Sequence, residues 1–240
     1  MPRWLPGEDA VMDPESDARA LVNERFPAAR AAFLGAGVLS ARRTPTSDLD
    51  IVVIIDGPPA PYRESLIWRN WPVEFFLQLE STIGDWFAKD VARRRPSLAR
   101  MCAEGVILTD ADGIATAVRE KARAILAAGP PAPERAELDR RRYGVSDLLD
   151  DLAGSSDPGE TAVICLYLLR ETAELALLLD GSWLGGGKWL LRELRAAEPR
   201  LADELIESRD DPARLASLAE GVLARAGGRL WAGYRQIGKL

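Results

Sequence analysis

Asp48 and Asp50 stand two residues apart at the head of an apolar run, Ile51-Val52-Val53-Ile54-Ile55. In an extended strand, side chains at i and i+2 project from one face, so the two carboxylates would point out together. Neighbouring anions repel, and a chain that fixes them side by side gains most when a cation lies between them. A third carboxylate, Glu74, falls within another strand-like run, Trp71-Pro72-Val73-Glu74-Phe75-Phe76-Leu77. Upstream, Phe33-Leu34 breaks into Gly35-Ala36-Gly37, a small-residue turn whose backbone N–H groups can approach phosphate closely. The sequence has no histidine. That removes imidazole acid–base catalysis, Ser–His nucleophiles and histidine metal sites together. Cys102 and Cys165 have no zinc-type spacing and read as buried thiols. What remains for chemistry is carboxylates, Lys/Arg, hydroxyls and a hard cation held by oxygen.

These groups need a sheet to hold them. The 240 residues, 47% hydrophobic and 28% charged, can bury a substantial core in one or two domains. A net charge of −6 argues against a protein that coats nucleic acid by charge. The opening residues lack the apolar core of a signal peptide, and no run approaches the roughly 20 apolar residues of a membrane span. A cytoplasmic location with no membrane partner is the expectation. Residues 1–14 read as a Pro- and acid-rich arm, and Ser16 to Phe26 as an amphipathic helix. Strands are expected over Ala31–Leu34, Leu49–Ile55, Val73–Leu79 and Val106–Leu108. Helices are expected over Arg63–Arg69 and Thr82–Arg94, with a third opening at Pro96. Beyond Asp112 helical periodicity dominates, Gly129-Pro130-Pro131-Ala132-Pro133 reads as the best internal boundary, and helices are expected near Glu134–Leu152, Thr161–Leu179, Lys188–Ala197, Leu201–Glu207 and Pro212–Ala226. The expected architecture is α/β (α+β), a small mixed-sheet head at 1–112 followed by an all-helical bundle at 113–240.

The turn Leu34–Gly37, the run Ser47-Asp48-Leu49-Asp50 and the later Glu74 together resemble the nucleotidyltransferase superfamily typified by DNA polymerase beta and the antibiotic (aminoglycoside and lincosamide) nucleotidyltransferases. The runs Pro61-Tyr62-Arg63-Glu64-Ser65, Trp71-Pro72-Val73-Glu74 and Gly187-Lys188-Trp189-Leu190 resemble a bacterial branch of that superfamily. The motif likeness is concentrated in residues 28 to 78. This chain departs from the family pattern at the turn. It reads Ala36-Gly37 where Gly-Ser is usual and Ser40-Ala41 where Arg-Gly is usual, with Arg42-Arg43 following as alternative positive charge.

The resemblance implies a magnesium-dependent transfer of a nucleoside monophosphate from a nucleoside triphosphate, ATP by default, to a small hydroxylated acceptor such as an antibiotic. It implies that Asp48 and Asp50 hold two Mg²⁺ ions, and that Glu74 either completes the second metal site or acts as general base. Gly35 and Gly37 would line the phosphates with Thr46 and Ser47 nearby, and Lys188 would reach the triphosphate from the helical domain. The assembly is read as monomer or homodimer. Two alternatives stand beside this. One is a catalytically weak regulator that binds nucleotide or a partner, which the altered turn favours. The other is an antitoxin-type enzyme that modifies a protein or RNA, which the large helical half disfavours. Arg140-Arg141-Arg142-Tyr143 reads as a helix face, and Asp147, Asp150 and Asp151 as a solvated acidic cluster that a cationic acceptor would suit.

Overall fold

In a computed structural model that describes residues 13–236, the chain divides into two compact units between Ala128 and Gly129. In the first unit, α1 (Pro14–Arg25) starts at Asp13, whose carboxylate accepts the Glu15 N–H at 3.2 Å. Pro14 occupies the first turn, where a missing N–H costs nothing. The five strands are β1 (Ala31–Leu34), β2 (Leu49–Ile54), β3 (Tyr62–Trp68), β4 (Trp71–Gln78) and β5 (Val106–Asp110), in the sheet order β3-β4-β2-β1-β5. β2 and β4 run parallel; every other neighbouring pair is antiparallel.

One sheet face carries Leu49, Ile51, Val53, Val73, Phe75 and Leu77 against Ala18, Leu21 and Val22 of α1. The other carries Phe33, Val52 and Ile54 against α2 (Ile83–Ala92), α3 (Ser97–Glu104) and α4 (Ile114–Ala128). Asp50 and Glu74 alternate with Leu49, Ile51, Val73 and Phe75, so they belong to this second face.

The structure corrects the sequence reading at one point in this unit. The stretch expected as a helix over Arg63–Arg69 is instead strand β3, Tyr62–Trp68, followed by a turn. Tyr62, Glu64, Leu66 and Trp68 are half-buried while Arg63, Ser65 and Ile67 are exposed, an alternation of period two. β3 and β4 join through Arg69 and Asn70, both with positive φ (45° and 67°), the conformation a tight hairpin needs. The two units meet at the run that opens on Gly129, after α4, whose Ile114, Ala115, Val118 and Ala122 bury themselves against the sheet.

The second unit contains α5 (Arg135–Gly154), α6 (Pro158–Asp180), α7 (Lys188–Ala197), α8 (Pro199–Glu207) and α9 (Pro212–Arg225). Their apolar faces share one core built on Leu149, Leu168, Leu175, Leu177, Leu194 and Leu223. α6 opens on Asp157, which accepts the N–H groups of Gly159 and Glu160 at 2.8 and 2.9 Å, and closes on Gly181 at φ 75°. Arg141 and Arg142 are buried rather than displayed on a helix face. Arg141 pairs with Glu171 at 2.5 Å and with Glu174. Arg142 donates to the carbonyls of Gly227 and Gly228 and pairs with Asp139 at 2.9 Å. Among the described residues no helix is long and apolar enough to cross a membrane. The N-terminal arm read from residues 1–14 lies almost wholly outside the described residues.

Candidate metal centre

The start of β2 is fixed from both sides. On one side, the Gly35 N–H donates to the Asp50 carbonyl at 2.8 Å. A Cβ added at Gly35 would lie 3.3 Å from the Asp50 Cβ and 3.4 Å from its carbonyl oxygen, so glycine is what lets the chain leaving β1 lie against Asp50. On the other side, the parallel register sets Asp50 directly opposite Glu74. Asp48, two residues before Asp50, shares its face. One carboxylate oxygen from each of Asp48, Asp50 and Glu74 lies within 4.8 Å of the other two. Three hard oxygen donors at that spacing fit a magnesium-type cation, and no softer donor is among them.

A cation from the protein already touches this cluster. Arg63 of β3 pairs with Glu74, and its guanidinium lies 4.9 Å from the centre of the Phe76 ring. The register explains both contacts. Arg63 faces Phe76 and Ser65 faces Glu74 across the β3–β4 ladder, so Arg63 reaches its carboxylate diagonally on one face. The sequence reading gave Arg63 no role. The alternation from Tyr62 to Trp68 was the signal that could have placed it.

The segment between β1 and β2 is a string of turns. Leu39 N–H donates to the Ala36 carbonyl at 3.2 Å, and the Ser40 hydroxyl to the Gly37 carbonyl at 2.8 Å. Thr44 N–H donates to the Ser47 hydroxyl oxygen at 2.9 Å, and Ser47 N–H returns to the Thr44 carbonyl at 3.0 Å. Thr46 is exposed and its hydroxyl lies 3.1 Å from that of Thr44. At Gly37 an added Cβ would meet nothing within 4 Å, so the two glycines differ: Gly35 is closely packed against Asp50, while Gly37 borders open space.

A cleft of about 320 Å³ is lined by Arg43, Thr44, Ser47, Asn70, Trp71 and Pro72. Arg43 is not merely solvated: its guanidinium stacks 4.9 Å from the Trp71 ring centre. Trp71 is itself buried and donates its indole N–H to Asp17 at 2.9 Å. Ser47 adjoins Asp48 in the chain, and Pro72 lies two residues before Glu74; the carboxylates themselves are not among the lining residues.

Lys188 lies in the second unit as the exposed first residue of α7. The glycines before it have a packing reason of their own. A Cβ at Gly185 would sit 2.2 Å from the Trp189 backbone, and Gly187 has φ 53°. Of the acidic cluster on α5, Asp150 pairs with Arg229 at 2.5 Å. Cys102 and Cys165 are buried free thiols, and burial pushes both thiols upward from their ordinary range, which makes them poor nucleophiles.

No protein-family model matches this chain, and no curated protein matches it. Among solved structures it is similar to a nucleotidyltransferase-like protein from Exiguobacterium sibiricum 255-15, with 15% identity and a TM-score of 0.47 over 88% of this chain and 75% of that one.

Proposed function

We propose that this protein is a magnesium-dependent nucleotidyltransferase that moves a nucleoside monophosphate from a nucleoside triphosphate, ATP by default, to a small hydroxylated, antibiotic-like acceptor. The observation that carries this reading is the convergence of Asp48, Asp50 and Glu74 within 4.8 Å, where strands β2 and β4 run parallel and the glycine turn meets Asp50. Asp48, Asp50 and Glu74 would hold Mg²⁺. Bound there, the metal would supply positive charge for the triphosphate and lower the pKa of the acceptor hydroxyl.

The chain's own residues do the rest. Backbone N–H groups of the turn after Gly35, with the Thr46 and Ser47 hydroxyls, offer donors to phosphate oxygens. Arg43 offers positive charge at the cleft wall, where charge on the leaving pyrophosphate would be stabilised. Were Glu74 instead to stay off the metal, the other role the resemblance implies for it is to take the acceptor hydroxyl's proton as general base.

The alternative of nucleotide binding without transfer draws on the turn, which has Gly37 where a hydroxyl would help hold phosphate. One experiment separates the two: pyrophosphate release from each triphosphate, with a panel of hydroxylated acceptors, in wild type and Glu74→Gln. Transfer predicts acceptor-dependent release that Glu74→Gln lowers far more than it lowers triphosphate binding. Tight triphosphate binding with no release for any acceptor would leave only the binding reading.

A further inference from the structure

We propose that Arg63 is a resident counter-ion that holds Glu74 away from the metal until an anionic group, a triphosphate or inorganic phosphate chain, draws the guanidinium off. The inference rests on the metal-centre reading above and adds an order of binding to it.

Three carboxylates gather at the centre, and Arg63 neutralises one of them. A carboxylate engaged by a guanidinium presents less charge and fewer lone pairs to a metal. While the pair stands, the centre is therefore a weaker cation site than its three carboxylates suggest. The pair is also built to open. The Arg63 side chain is 59% exposed, so it can swing toward solvent without uncovering the core. Exposed ion pairs contribute little stability, so an arriving anion need not overcome much. The Phe76 ring, 4.9 Å from the guanidinium, gives the side chain a surface to slide along. An arginine is also the side chain best shaped to grip phosphate oxygens once released. The device thus couples two events: phosphate takes Arg63, and Glu74 becomes available to the cation that accompanies the phosphate.

The test uses Mn²⁺ as the probe, with binding to the full-length protein read by calorimetry and by the electron spin resonance signal of the free ion. Arg63→Gln should bind Mn²⁺ at least about tenfold tighter than wild type without any phosphate, since a like charge has left the centre. Arg63→Lys should stay close to wild type. Inorganic tripolyphosphate should enhance Mn²⁺ binding by wild type and lose most of that enhancement in Arg63→Gln. In a Glu74→Gln background the Arg63→Gln change should have little effect, which ties the result to this pair. Unchanged or weaker Mn²⁺ binding by Arg63→Gln, with its melting temperature retained, would overturn the inference while leaving the metal centre standing. Absence of Mn²⁺ binding by wild type and variant alike would overturn the metal centre and the inference with it.

Discussion

The two units handle charge in opposite ways. In the sheet unit, like charges converge: parallel register and a two-residue step bring Asp48, Asp50 and Glu74 together. In the helical unit, opposite charges converge: Arg141 meets Glu171 and Glu174, and Arg142 meets Asp139 and two backbone carbonyls. The second arrangement pairs its charges as it buries them, which is what a scaffold requires. The first gathers three carboxylates near one guanidinium, that of Arg63 on Glu74, an arrangement a bound cation would suit. Clustered charge by itself therefore does not mark a site; the sign of the cluster does.

Substitution should split the units along that line. The double variant Asp48→Asn/Asp50→Asn should lose at least about 10³-fold in transfer rate, while its melting temperature holds, because neither side chain belongs to the buried core. A coupled loss of activity and stability would break the comparison. Next in size, Glu174→Ala should destabilise the helical unit by about 3 kcal/mol in denaturant melts, the lower end for a broken buried pair, because Glu171 still engages Arg141. A smaller effect is expected at the turn. Gly37 borders open space, so Gly37→Ser should fold normally and tighten triphosphate binding several-fold, as one added hydrogen bond of about 1 kcal/mol would do. No gain would mean that phosphate does not lie against this turn.

The smallest effect concerns pH. Asp110 accepts from the Thr116 hydroxyl at 2.7 Å and from the Ala115 N–H at 2.8 Å. Chiefly through the Thr116 bond, its carboxyl titrates below the ordinary value of 3.8. Its folded pKa is depressed, so its contribution is present above 3.8 and fades as pH falls through the lower folded value. Asp110→Ala should therefore melt slightly earlier than wild type at neutral pH and converge with it in strong acid. A gap that persists at low pH would assign the difference to packing instead.

How much of this was legible in the sequence varied with the kind of signal. Leu49–Ile54 and Trp71–Gln78 are long apolar strands, and α7 was readable to the residue because three glycines precede Lys188. Strand β3 was missed because its alternation is carried by half-buried residues and its turn, Arg69-Asn70, lacks the glycine that usually announces a hairpin. The Pro-rich run from Gly129 to Pro133 marks where the units divide, but the apolar periodicity of α4 does not by itself say what that helix packs on. Its partner, the sheet face around Phe33 and Val52, is distant in sequence. The carboxylates could be read from spacing, but the Arg63–Glu74 pair could not, since it exists only once β3 and β4 are in register. The burial of Arg141 and Arg142 likewise depends on partners some 30 to 86 residues away along the chain.

The most direct test of the central claim is a calorimetric titration of ATP into the purified protein, with and without Mg²⁺, beside Asp48→Asn. The account predicts binding that needs both the metal and Asp48. Binding that is equally strong without Mg²⁺, or unchanged in Asp48→Asn, would contradict it.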